Sequence, residues 1–190
     1  MSIAPLRGFV CRMTKLVESR GAAEDDVVEP ARDLLAALIA RDNWLPDAYA
    51  QPHPEKYRQY LLYGDPLDRF SLVSFVWGPG QRTPVHDHLM WGLIGMLRGS
   101  EVSTPYAPSC AGLVAGAPVR LKPGDIEGVS PRHGDIHTVA NAYDDRPSIS
   151  IHLYGGNIGQ VRRHSFDAAT GRAQDFVSGY SAATLPNLWH

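Results

Sequence analysis

The sequence predicts a mainly β protein, a barrel or sandwich of short strands preceded by α-helices. Three observations carry that expectation. Apolar residues recur at helical spacing in the first third of the chain. From Phe70 onward, Val, Ile and aromatic residues come instead in short runs punctuated by Gly, Pro and Asp. Within the run 148–154, polar and apolar residues alternate with the two-residue period of a strand. At 190 residues the chain is long enough for one hydrophobic core and cramped for two. It is read as one domain over 1–190, with a helical part at 1–66, a β-barrel at 67–170 and a C-terminal extension at 171–190.

The elements follow in order. Leu6, Phe9, Val10, Met13, Leu16 and Val17 form an amphipathic stripe between Pro5 and Gly21, the expected start and stop of a helix. A second helix is expected after Pro30, where Leu34, Leu35, Leu38 and Ile39 make one apolar stripe that ends before the turn at Trp44 and Pro46. A third, short helix is expected over 55–62. Strands are expected at 70–77, 85–97, 101–106, 119–121, 135–140, 148–154 and 161–166, with a flexible loop at 107–118.

Composition excludes several function classes. Eighteen basic and twenty acidic side chains give a net charge of -2, and no Lys/Arg run offers a surface for phosphates, so nucleic acid is not an expected partner. The first twenty residues interrupt their apolar positions with charge, which neither a signal peptide nor a membrane span tolerates; a cytoplasmic protein without membrane contact is expected. Cys11 and Cys110 are too few for a disulfide framework and are read as ordinary thiols. Oligomeric state is not legible.

Chemistry is concentrated in the β region. Ser148, Ser150, His152 and Tyr154 share one face of their strand, with Ile149, Ile151 and Leu153 on the other. Ser, His and Tyr are a hydrogen-bonding set suited to a half-wet cavity, whereas a solvent face usually carries Lys, Glu or Thr. His86 and His88, one residue apart, can offer two neutral nitrogen donors to one divalent ion. His137 is the preferred third donor: it begins a strand that can hold it rigidly, while its competitor His133 sits in a turn. His53, His164 and His190 have no partner at ligand spacing and are read as surface or packing residues. Three histidines without a carboxylate leave a cationic site with open positions, suited to an anionic co-ligand such as a thiolate and to Fe(II) chemistry with O2. Zinc is the other occupant such donors accept.

The stretch GPGQRTPVHDHLMWGLIGMLRG resembles the first signature of the cupin superfamily, with Gly80, His86, His88 and Gly99 in place and Gly92 where that signature has glutamate. Downstream, Pro131, Gly134, His137 and Asn141 resemble the second, with one extra residue between the proline and the glycine. The combination of HDH, the missing glutamate and SIHLY resembles the thiol dioxygenases, the group containing cysteine dioxygenase and 3-mercaptopropionate dioxygenase, over about residues 56–166. The resemblance implies a jelly-roll-like cupin β-barrel with N-terminal helices. It implies Fe(II) on His86, His88 and His137, a Ser150, His152, Tyr154 relay beside it, and a small thiol and O2 as substrates.

Two departures from animal-type cysteine dioxygenase stand out. Gly92 occupies the position of the cysteine that crosslinks to the active-site tyrosine there, so no thioether with Tyr154 can form. Gln59 stands where an arginine binds the amino-acid carboxylate, with Arg58 adjacent but directed elsewhere if the stretch is helical. Both departures resemble the bacterial 3-mercaptopropionate dioxygenases, in which a later arginine binds the carboxylate; Arg163 matches it, and Arg162 is expected on the exposed strand face. L-Cysteine as the substrate and a non-catalytic metal-binding cupin are the alternatives.

Overall fold

The computed structural model describes residues 2–189. Helix α1 (Ala4–Arg20) has Pro5 in its first turn and buries Leu6, Phe9, Val10, Met13 and Val17. Gly21 ends it with a φ of 81°, a conformation that side chains disfavour. Helix α2 (Glu24–Ile39) begins earlier than expected, so Pro30 lies inside it rather than ahead of it. Pro30 removes the N–H that would meet the Asp26 carbonyl. Two things outweigh that loss. Glu24, Asp25 and Asp26 place negative charge at the positive end of the helix dipole. Val27, Ala31, Leu35 and Leu38 extend one buried stripe across the proline.

A short 3₁₀ turn (Asp47–Tyr49) leads into twelve strands: β1 (Arg58–Gly64), β2 (Ser71–Trp77), β3 (Val85–His86), β4 (Gly92–Arg98), β5 (Glu101–Ser109), β6 (Gly112–Ala115), β7 (Val119–Leu121), β8 (Ile126–Val129), β9 (His137–Asn141), β10 (Ser148–Tyr154), β11 (Arg163–Phe166) and β12 (Ala173–Phe176). One sheet runs β1-β2-β10-β4-β8; the other runs β12-β11-β3-β9-β5-β6, with β7 paired to β5. The pairings are antiparallel, and β10 lies between strands distant in sequence. This is the jelly-roll-like cupin barrel that the resemblance implied.

The alternation of each strand sorts its residues between two cores. Leu72 and Val76 of β2, Leu93 and Leu97 of β4, and Ile149, Ile151 and Leu153 of β10 pack with the helices in one cluster. Val73, Phe75, Trp77 and Tyr154 form a second cluster inside the barrel. Helices α1 and α2 therefore cover the outer face of the first sheet, and β10 is buried on both faces. The polar set Ser150, His152 and Tyr154 consequently faces the barrel interior rather than water.

Four expectations are corrected. The stretch 55–62 is not a helix: β1 pairs with β2, sending Gln59 and Tyr57 inward while Tyr60 and Leu62 pack outward. The single strand at 85–97 is two, because the chain turns between them at Leu89, where φ is 59°. The loop at 107–118 is largely a hairpin of β5 and β6. The region 171–190 contributes β12 to the second sheet, and β8 was not anticipated. Among the described residues no helix is long and apolar enough to cross a membrane.

Candidate metal centre and substrate cavity

Two strands and a loop bring His86, His88 and His137 together. His86 ends β3 and pairs directly with His137 at the start of β9. His88 follows in the loop after β3. Their ring centroids are 4.9 Å apart in every pairing, and one nitrogen from each lies within 4.8 Å of the others. All three are buried.

The Nδ1 atoms are occupied elsewhere. His86 Nδ1 lies 3.1 Å from the Pro84 carbonyl, His88 Nδ1 2.9 Å from Asp135 Oδ1, and His137 Nδ1 3.2 Å from Ser103 Oγ. Such partners orient each imidazole and leave Nε2 for a metal. Among the described residues His137 Nε2 has no hydrogen-bond partner though it is buried, an expensive arrangement unless another ligand takes its lone pair. Burial, reinforced by the neighbouring His88, holds His86 and His137 well below 6.5, so both are neutral donors at pH 7. Orphaned nitrogen, convergent rings and neutral donors together fit a divalent cation.

Beside this cluster the strand β10 lays out a chain of hydrogen bonds. Ser150 Oγ is 2.8 Å from His152 Nε2, and His152 Nδ1 is 2.8 Å from the Tyr154 hydroxyl. The pleat places every second residue on one face, so the spacing is set by backbone geometry. His152 stacks on Phe75 at 4.1 Å, and the Tyr154 ring lies parallel to His88 at 5.6 Å. Burial lowers His152 well below 6.5 and raises the Tyr154 phenol, so both are neutral at pH 7. Gly92 pairs with Tyr154 across β4 and β10, against the tyrosine ring.

A cavity of about 160 Å³ opens beside His86 and Tyr154, with Tyr57, Gln59, Arg163 and Phe176 among its walls. A larger cavity, about 430 Å³, lies between α2 and the sheet, but no histidine of the cluster borders it. The smaller one is the candidate site. Arg163 is 4% exposed; Nη2 donates to Ser178 Oγ at 2.8 Å, and the Phe176 ring covers the guanidinium at 4.5 Å. Its Nε is buried without a partner among the described residues. Arg162 is exposed and pairs loosely with Asp175. Gln59 lines the same cavity, but its Nε2 donates to the Gly179 carbonyl. Its backbone exchanges bonds with Ser181. Gln59 thus pins the C-terminal segment; Arg58, on the other strand face, does not border the cavity.

The remaining histidines are elsewhere. His133 is exposed in its turn. His53 Nδ1 accepts from the Glu55 backbone, and His164 binds Asp87, whose carboxylate points away from the cluster. His190 lies outside the described residues. The sequence reading missed Asp135, Ser103, Phe176 and Ser178. Asp135 was findable: an acid two residues before His137 can reach a neighbouring ligand. Ser103 and Ser178 carried no local signal.

The model of the family described as cysteine dioxygenase type I matches residues 28–167. The chain belongs to the cysteine dioxygenase type I family. That match begins within α2 and spans strands β1 to β11, and so contains the histidine cluster, the β10 relay and Arg163. Among solved structures, a double-stranded beta-helix protein from Klebsiella pneumoniae aligns at 20% identity over 62% of this chain and 95% of its own, with TM-score 0.48. A cupin superfamily protein from Desulfitobacterium hafniense aligns at 16% identity over 62% and 94%, with TM-score 0.46.

Proposed function

We propose that this member of the cysteine dioxygenase family is an Fe(II)-dependent thiol dioxygenase that converts 3-mercaptopropionate, in preference to L-cysteine, and O2 to the sulfinate. The observation that carries the reading is the buried Arg163, whose Nε lacks a partner, on the wall of a cavity that also holds His86 and Tyr154. A buried cation calls for an anion, and a carboxylate matches a guanidinium in shape and charge. The cavity is well below the roughly 300–1,000 Å³ of sites for drug-sized ligands, which favours a small acid. Gln59 carries no charge and its amide nitrogen is committed to Gly179, so it does not supply a second carboxylate site.

His86, His88 and His137 would hold the metal. Bound Fe(II) would supply coordination positions for sulfur and O2 and the redox chemistry that joins them. The rest is done by the chain. Arg163 neutralises the carboxylate and fixes one end of the substrate, with Phe176 and Ser178 restricting the guanidinium. Tyr154, tied to His152, presents its hydroxyl at a defined place and can hold or give a proton there. The aromatic walls exclude water. Thiol to sulfinate removes four electrons from sulfur and places both oxygen atoms on it, so one O2 suffices without a reductant.

The experiment is oxygen consumption and sulfinate formation by iron-loaded protein with each thiol, in wild type and Arg163→Ala. A higher kcat/KM for 3-mercaptopropionate is expected, and losing a charged contact of about 2–5 kcal/mol should remove most of it in the variant. A preference for L-cysteine, or little effect of the substitution, would place the carboxylate elsewhere. His137→Ala should release iron while His133→Ala keeps it; the reverse result moves the third ligand.

A further inference from the structure

Asp87 lies between His86 and His88 in the chain and is 5% exposed, yet nothing in the proposed chemistry uses it. Its carboxylate turns away from the two imidazoles, toward β11. Strands β3 and β11 pair Val85 with Phe166 and His86 with Ser165, so Asp87 comes next, opposite His164. The Asp87 N–H donates to the His164 carbonyl at 3.1 Å, as an antiparallel ladder requires. The return bond is different. The His164 N–H donates to Asp87 Oδ1 at 2.7 Å rather than to the backbone carbonyl, and the His164 ring Nδ1 lies 2.7 Å from Oδ2. The carbonyl released from the ladder accepts from Arg163 Nη1 at 3.5 Å. Asp175 of β12 lies 3.7 Å from His164 Nε2, too far to hold the ring in place of Asp87.

A backbone carbonyl would have taken the His164 N–H without burying a charge. What the carboxylate adds is a second bond to the same residue, and two points of contact fix both the position and the rotation of β11 beside β3. Inside the barrel, the neighbour of His164 is Arg163, and the neighbours of Asp87 are two members of the histidine cluster. Phe176 and Ser178 restrain the guanidinium from the β12 side; Asp87 ties its strand to the cluster. We propose that Asp87 is a positioning residue which, through His164, sets the span between Arg163 and the histidine cluster, and hence the length of thiol acid the cavity accepts. With that span fixed, one chain length puts the carboxylate on Arg163 and the sulfur at the cluster together, and a shorter or longer acid gives up one of the two. The choice of acid rests on the dioxygenase reading. The contact does not.

The test is calorimetric titration of zinc-loaded, full-length protein at pH 8 with mercaptoacetate, 3-mercaptopropionate and 4-mercaptobutyrate, with metal content measured, followed by kcat and KM of iron-loaded protein. Wild type should bind 3-mercaptopropionate about 10-fold tighter than the other two. Asp87→Ala should keep its metal, because no histidine of the cluster loses a bond, and should lose most of that roughly 10-fold preference, with KM rising more than kcat falls. Asp87→Asn should return the preference to within about 3-fold of wild type: its Oδ1 still accepts from the His164 N–H, and its amide donates to Nδ1 of the neutral ring. A merely structural role predicts that metal content and both kinetic constants decline together with the preference unchanged. That outcome, a wild type without preference, or an Asp87→Asn that behaves as Asp87→Ala, overturns the assignment. Should Asp87→Ala not fold, His164→Ala, which keeps only the backbone contact, should lose part of the preference; an unchanged preference there overturns the assignment as well. A preference lost in Asp87→Ala of a protein that oxidises none of the three acids would overturn the dioxygenase reading and leave Asp87 in its place.

Discussion

A Cβ built on Gly92 would stand 2.8 Å from Tyr154 Cδ1 and 3.0 Å from Val129 Cγ2. Neither neighbour can give way freely. The tyrosine is held at its hydroxyl by His152 and lies along His88 on one face, while Val129 is packed with Ile94, Met96 and Leu121 in a separate apolar cluster. Gly92→Ala should therefore leave iron content unchanged, since no ligand is touched, while lowering turnover by up to about 10²-fold through displacement of the hydroxyl. Metal analysis beside steady-state kinetics checks this, and full activity would mean the hydroxyl's location is immaterial. The sequence made Gly92 visible as a missing carboxylate or thiol. It did not show that the position is closed to any side chain, because that depends on which residue faces it across the sheet. The histidines were legible because HxH and a strand-initial His carry their chemistry locally; Ser103 matters only through a partner far along the chain.

At the level of elements, the C-terminal segment is a structural part of the cavity wall. Strand β12 brings Phe176 over Arg163, and Ser178, just beyond it, holds Nη2. A hydrogen bond to a charged group contributes about 1.5–3 kcal/mol, so Ser178→Ala should raise KM for the thiol acid roughly 10-fold or more. The kcat should change little, because Ser178 does not border the cavity. Kinetics with equal changes in both constants would argue against this division. The helices and the central strands were readable from their periods. Strand β1 was not: its two faces meet the helical core and the barrel core, so RQYLLYG lacks the polar alternation that marks a half-exposed strand. The short strands β6 and β12 were missed for other reasons: GLVA is four residues of a half-exposed hairpin arm with no alternation, and AQDF is largely exposed at the sheet margin.

For the whole molecule, buried titratable groups set how stability varies with pH. In metal-free protein His86, His137 and His152 sit well below 6.5, so the unfolded chain binds more protons than the native one as pH falls through 6.5, and stability is lost there. Glu101 acts in the opposite direction. Raised from 4.5 to about 8, it makes the native state the better proton binder, and stability is lost as pH rises across that interval. Glu127, also raised by burial, acts in the same direction as Glu101; below 6.5 the three histidines outweigh the two carboxyls, and above it the carboxyls act without them. Tm of the metal-free protein should peak near pH 6.5, and Glu101→Gln should flatten the alkaline side; a monotonic curve would contradict the balance. The fold also divides the site unequally between a deep part and a marginal one. Strand β10 is paired along its length on both edges and buried on both faces, whereas β11 and β12 are four-residue strands at a sheet margin. Amide protons of β10 should exchange only through global unfolding, those of β11 and β12 through cheaper local openings. Mild urea should then raise KM for the thiol acid before it releases metal, and hydrogen-exchange mass spectrometry should show Arg163 and Phe176 exchanging while Ser150 to Tyr154 are still protected.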